Sequence, residues 1–118
     1  MEEASFITNE DGDDLIVSFA IPVDEYGDVK SLTLLRTPKY EFIMDESERG
    51  VNVSFDDFPD DEYELLEQVT LEGDVVTITT NYRTYTVSIR DVDDEEIEES
   101  KRVLKKMNFD GRFKLKML

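Results

Sequence analysis

The residues best suited to chemistry in this chain are its carboxylates. An early dense group is Asn9-Glu10-Asp11-Gly12-Asp13-Asp14, five oxygen-bearing side chains around one glycine. Such a set could hold a hard divalent cation. The spacing argues otherwise, because an EF-hand loop needs acidic ligands at its first and twelfth positions with glycine at the sixth. Placing Gly12 sixth puts Ile7 first and Ser18 twelfth. Asp-Gly between the apolar runs of residues 5–8 and 15–21 reads instead as a type I′ hairpin turn, which tolerates positive φ.

The chain contains no Cys and no His. Thiolate nucleophiles, disulfides, the usual general base and the usual zinc ligands are therefore excluded. An enzyme built here would rely on carboxylates, tyrosines and a few bases. A convergent carboxylate pair of the glycosidase kind is compatible with the composition. Thirty acids among 118 residues make some pairs inevitable, however, so pairing is no signal. No glycine-rich phosphate loop, nucleophile elbow or helical zinc-protease motif is present. The expectation is a protein without catalytic, cofactor or metal residues, with a small carboxylate enzyme or a structural subunit as alternatives.

Thirty acids against thirteen bases give a net charge of −17. Residues 101–118 are locally basic, with Lys101, Arg102, Lys105, Lys106, Arg112, Lys114 and Lys116 against Asp110 alone. So acidic a body repels phosphate and attracts cationic partners. Direct nucleic-acid binding by the basic end is not expected, since aromatic residues there are limited to Phe109 and Phe113. That end reads as a dipole-matched helix terminus followed by a strand with a basic outer face. The candidate interaction surface is "FDDFPDDEYELLE", in which Phe55, Phe58 and Tyr63 would be apolar anchors and Asp57, Asp60, Asp61 and Glu62 would steer a basic partner. Asp94, Glu95 and Glu98 at a helix start would extend it. The function expected is an inhibitor, immunity or adaptor type of module engaging a basic protein surface. Mimicry of nucleic acid, with carboxylates standing for phosphates, is the alternative, although the predicted strand faces carry Thr and Ser where a mimic would carry rows of acid.

The elements that must position these residues form an α+β fold in one domain, residues 1–118: a mostly antiparallel sheet of hairpin-connected strands with a C-terminal helix on one face. Residues 69–88 carry the clearest pattern. Two-residue loops at Gly73-Asp74 and Asn81-Tyr82 set Leu71 opposite Val76, Val69 opposite Ile78, Ile78 opposite Tyr85 and Val76 opposite Val87. Thr70, Thr77, Thr79, Thr84, Thr86 and Ser88 then share the other face. Earlier strands are expected at 4–8, 14–21, 29–36, 40–44 and 51–55, and a short helix over 59–67. The C-terminal helix begins at a capping-box candidate, Asp93 with Glu96, and stops near Asn108 to Gly111. Its apolar stripe is Ile97, Ser100, Leu104 and Met107, with Val103 beside it. Phe113, Leu115 and Met117 alternate as a last strand. No apolar run reaches membrane-spanning length and residues 1–8 lack a signal-peptide pattern, so the expectation is a soluble cytoplasmic chain, a monomer or weak homodimer. Crowded carboxylates are expected to hold their protons more tightly in the folded state and to raise stability as pH falls from 7 to about 5.

Overall fold

The computed structural model describes residues 1–23, 27–58 and 64–117. Period-two alternation builds two sheets there. Leu15, Val17, Phe19 and Ile21 form the buried row of one strand and Leu32 and Leu34 that of the next, while Val69, Val76, Ile78, Tyr85 and Val87 form the facing row of the second sheet. One hydrophobic core joins the two rows. The Phe55 and Tyr85 rings meet across it edge-on, 5.6 Å between centroids.

The described strands are β1 (Glu2–Glu3), β2 (Phe6–Asp11), β3 (Leu15–Pro22), β4 (Val29–Arg36), β5 (Asn52–Phe55), β6 (Leu66–Glu72), β7 (Val75–Thr80), β8 (Thr84–Ser88) and β9 (Lys114–Met117), with helix α1 (Asp94–Met107) before the last. Their order is β2-β3-β4-β5 in one sheet and β1-β8-β7-β6-β9 in the other. Pairing is antiparallel except for β1 with β8 and β6 with β9. The single expected sheet is thus two, folded over one another where β5 leads into β6. The Val53 N–H donates to the Glu64 carbonyl and the Leu66 N–H to the Val51 carbonyl at that corner. All four cross-strand pairs expected for residues 69–88 are present.

Helix α1 lies along β2, the edge of the four-stranded sheet, and closes the side of the sandwich with Ser100, Val103, Leu104 and Met107. Its cap differs from the expected box. Asp93 is the N-cap but makes no side-chain cap bond. Glu96 instead accepts the Ile7 N–H at 2.8 Å, and Asn9 joins the Glu96 carbonyl and the Ser100 hydroxyl. An otherwise open strand edge outcompetes the helix terminus for that carboxylate. At the other outer edge, β9 presents exposed Lys114 and Lys116, residues that discourage strand addition.

Two further expectations change. Of residues 40–44, expected as a strand, 40–43 belong to a 3₁₀ segment, Pro38–Ile43, and Met44 is its C-cap. Pro38 near its start disfavours a ladder, and Glu41 turns inward to a buried cation. The helix expected over 59–67 falls in part outside the described residues. From Leu66 onward the chain is strand, and Leu65 bridges to Asn52.

That buried cation is Arg36. The alternation Leu32, Leu34, Arg36 carries it onto the core face, fully enclosed. All five of its N–H donors are used: Nε and Nη2 on Glu41, Nη1 and Nη2 on Asp110, and Nη1 on the Met107 carbonyl, each at 2.7–2.8 Å. The Phe109 ring lies 4.2 Å from the guanidinium carbon. Burial alone would weaken the Arg36 charge; hydrogen bonds to Asp110 and Glu41 outweigh it and raise its pKa. Asp110 is held well below the usual carboxylate range, chiefly by Arg36 and then by Arg112.

Removing one member of a buried ionic set strands the others. Arg36→Met should therefore cost about 3–5 kcal/mol in chemical denaturation, and Arg36→Met with Glu41→Leu should recover part of that loss. Where carboxyl affinities shift among the described residues, they shift down: Asp11 through Lys106 and Arg102, Glu99 through Arg102, and Asp110. A lowered folded pKa gives stability that is complete above the ordinary values of 3.8 and 4.5 and lost as pH falls through the folded values. Where crowding predicts a rise, these groups should leave the melting temperature flat from pH 7 to 5 and lower it below about pH 4, and a thermal pH series checks which holds.

Candidate functional site

The acidic residues singled out in the sequence fall into separate places. Ile7, Phe19, Leu32 and Phe55 form one row across β2, β3, β4 and β5. Glu96 is bonded at the Ile7 end, and Asp56, Asp57 and Phe58 follow Phe55 at the other. Three strand spacings, about 14 Å, therefore separate Ile7, where Glu96 is bonded, from Phe55, which precedes Phe58 by three residues. Asp94, Glu95 and Glu98 are exposed along the first turns of α1, and Glu98 pairs with Lys101 at 2.9 Å. Asp60, Asp61, Glu62 and Tyr63 lie outside the described residues.

Phe58 has the environment of a rigid anchor. It is 43% exposed, packs on Phe55 at 6.1 Å, and is covered on one face by the Arg83 guanidinium, 3.7 Å from its centroid. Beside it, Asp57 accepts from Lys30 at 2.9 Å and Asp56 caps the Ser31 N–H at 3.0 Å. The Lys30 ammonium also sits 5.1 Å from the Phe55 ring. Bonding to Asp57 raises the Lys30 pKa.

Beneath this rim is a buried carboxylate that sequence reading did not single out. Glu64 accepts from the Tyr85 hydroxyl at 2.7 Å and the Thr80 hydroxyl at 2.8 Å, with the Arg83 Nε at 3.9 Å. Burial, then the hydrogen bond to Glu64, pushes the Tyr85 phenol up, so it stays protonated and donates. The signal for it lies in the alternation: Glu64 precedes inward Leu66 by two, and Tyr85 precedes inward Val87 by two. With its Oε2 held by both hydroxyls inside the core, Glu64 positions the β5–β6 corner and the Arg83 that covers Phe58.

The loop of Asp11-Gly12-Asp13-Asp14 joins β2 to β3, as expected of a turn, but by a different geometry. Asp11 pairs with Leu15 and three residues intervene, with the Gly12 N–H donating to the Asp14 carbonyl. The glycines at positive φ are Gly27, Gly50, Gly73 and Gly111, so Gly12 does not make a type I′ turn. Its acids serve protein partners: Asp11 takes Arg102 and Lys106 at 2.6 Å, Asp13 takes Lys39 and Asp14 takes the Thr37 hydroxyl. Among the described residues no cluster of three or more metal-ligating side chains occurs.

Four of the seven bases at the basic end are spent in the same way. Arg102 and Lys106 meet Asp11, Lys101 meets Glu98, and Arg112 meets Asp110. Arg112 also donates to the Glu46 and Arg49 carbonyls, fastening residues 46–49 to the turn after α1. The outer face of the β7–β8 hairpin carries half-buried Thr77, Thr79 and Thr86 with exposed Thr84, not the acidic rows of a nucleic-acid mimic.

Tyr85→Phe keeps the ring against Phe55 and removes one donor from Glu64. It should lower stability by about 1.5–3 kcal/mol, the range for hydrogen bonds to charged groups, as measured in urea. No family model, no curated protein and no solved structure matches this chain.

Proposed function

We propose that this protein is a non-catalytic acidic interaction module that engages a basic protein surface. The observation carrying this reading is the allocation of charge. Arg36, Arg102, Lys106, Arg112, Lys101 and Lys30 each pair with a carboxylate of the same chain, whereas Asp94 and Glu95 are exposed at the positive end of α1 within a chain of charge −17. Intramolecular pairing thus leaves the acidic excess on the outside, where it lengthens the reach of attraction for a cation-rich surface. Half-exposed Phe58, held by Arg83 and flanked by Asp56 and Asp57, supplies an apolar contact at one such acidic rim.

Cytoplasmic residence fits this reading, as do inhibitor, immunity and adaptor roles. Among the described residues no helix is long and apolar enough to cross a membrane. The two inner carboxylates, Glu41 and Glu64, are occupied by Arg36 and by Tyr85 with Thr80, which makes them framework groups.

Charges at a rim act mainly on association and a buried aromatic mainly on dissociation. With the basic protein recovered by salt elution from the native cell, replacing Asp60, Asp61 and Glu62 by their amides should slow association and flatten its salt dependence. Phe58→Ala should instead speed dissociation, with a loss of about 2 kcal/mol for a hot spot. Rates at two salt concentrations check both. A loss confined to neutralisation of exposed Lys105, Lys114 and Lys116 would place the binding face at the basic end and refute the proposal.

A further inference from the structure

The 3₁₀ segment Pro38–Ile43 is inverted relative to an ordinary surface element. Its charged Glu41 is buried on Arg36, and its apolar Tyr40, Phe42 and Ile43 are outside, at 54%, 76% and 72% exposure. Three residues per turn explain the arrangement: with Glu41 locked inward, its neighbours on either side must point outward. Phe109 stands on the Arg36 guanidinium with 61% exposure and borders Pro38 across a shallow groove. Four large apolar side chains are therefore presented around one buried ionic set. Aromatic side chains held in this way are the usual energetic centres of protein interfaces.

We infer that this patch is a second docking surface, whose occupant is a protein segment with apolar side chains and a cationic rim. The surrounding charge selects that occupant. Acids border the segment at both ends: Asp45, Glu46 and Glu48 follow Ile43 in the chain, and Asp13 and Asp14 reach its start through bonds to Lys39 and Thr37. The one lysine within the segment, Lys39, is paired with Asp13. A second copy of the chain would add another −17 to the contact, and an anionic lipid surface would repel it. An amphipathic cationic segment meets neither obstacle.

The attraction part of this inference rests on the acidic-module reading, and the position of the contact does not. Two probes separate them: an 18-residue amphipathic peptide of leucine and lysine, and a serine and lysine peptide of equal charge. The expected result is at least tenfold tighter binding of the leucine peptide, with amide shifts centred on residues 38–44 and 109. The ratio should vanish in the Phe42→Ser/Ile43→Ser variant while its melting temperature stays at the wild-type value. Equal binding of both peptides, unchanged in the variant, would overturn the patch and leave the acidic reading standing. Absence of binding by either peptide at low salt would overturn both. A melting temperature lowered by several degrees in the variant would show a covering role and overturn the patch, as would sedimentation of the wild type as a dimer that the variant abolishes. The shift map on the wild type locates the contact without any substitution.

Discussion

A single buried guanidinium organises one end of this molecule. Strand alternation gives Arg36 no other direction, because Leu32 and Leu34 fix the inward face of β4. An enclosed cation must have all its donors satisfied, and the partners come from three places: Glu41 of the 3₁₀ segment, the Met107 carbonyl at the end of α1, and Asp110 in the turn after it. The requirement extends further through Asp110, which also holds Arg112, whose other donors fasten residues 46–49. Segments distant in sequence are thereby placed by one charge. The outward presentation of Tyr40, Phe42 and Ile43 follows from the inward commitment of Glu41.

The same logic distributes the remaining charge. Asp11 ties the β2–β3 turn to the last turns of α1 through Arg102 and Lys106, and Glu96 occupies the open edge of β2. Most bases are consumed in fastening elements to one another, and the net excess that reaches solvent is acidic, with Lys105, Lys114 and Lys116 as exposed bases among it. Exposed ion pairs of this kind contribute little stability each. Their larger effect is to set the sign of the surface field, which is the property a basic partner would sense.

Local features were legible in the sequence and long-range ones were not. The β6, β7 and β8 registers could be read because two short turns constrain the same apolar row, and α1 could be read because its charges and stripe repeat within a few residues. The division into two sheets depends on the β5–β6 corner, where Glu64 bonds to β5 and Leu66 to Val51 just before it, and no local pattern announces a corner. Residues 40–44 resemble a strand by their aromatic and β-branched content, and only the burial of Arg36 explains why Glu41 is inside. That burial had a sequence signal, the Leu32, Leu34, Arg36 alternation, which obliges an inward acid. Of the candidate site, Asp57 and Phe58 are neighbours after β5, Asp94, Glu95 and Glu98 belong to α1 on the opposite edge of that sheet, and the exposed trio of the 3₁₀ segment was hidden inside an expected strand.

The measurement that bears most directly on the organising role of Arg36 is native-state amide hydrogen exchange on Asp110→Asn. Asp110 and the 3₁₀ segment's Glu41 share Arg36, and Arg112→Gln is the control for the second route, from Asp110 through Arg112 to residues 46–49. The Met44 amide, bonded to the Glu41 carbonyl, should therefore lose protection together with the Gly111 and Phe113 amides, while Ile78 in β7 stays unchanged. Faster exchange confined to residues 111–113, with Met44 as slow as in the wild type, would contradict the coupling of these segments through one buried cation.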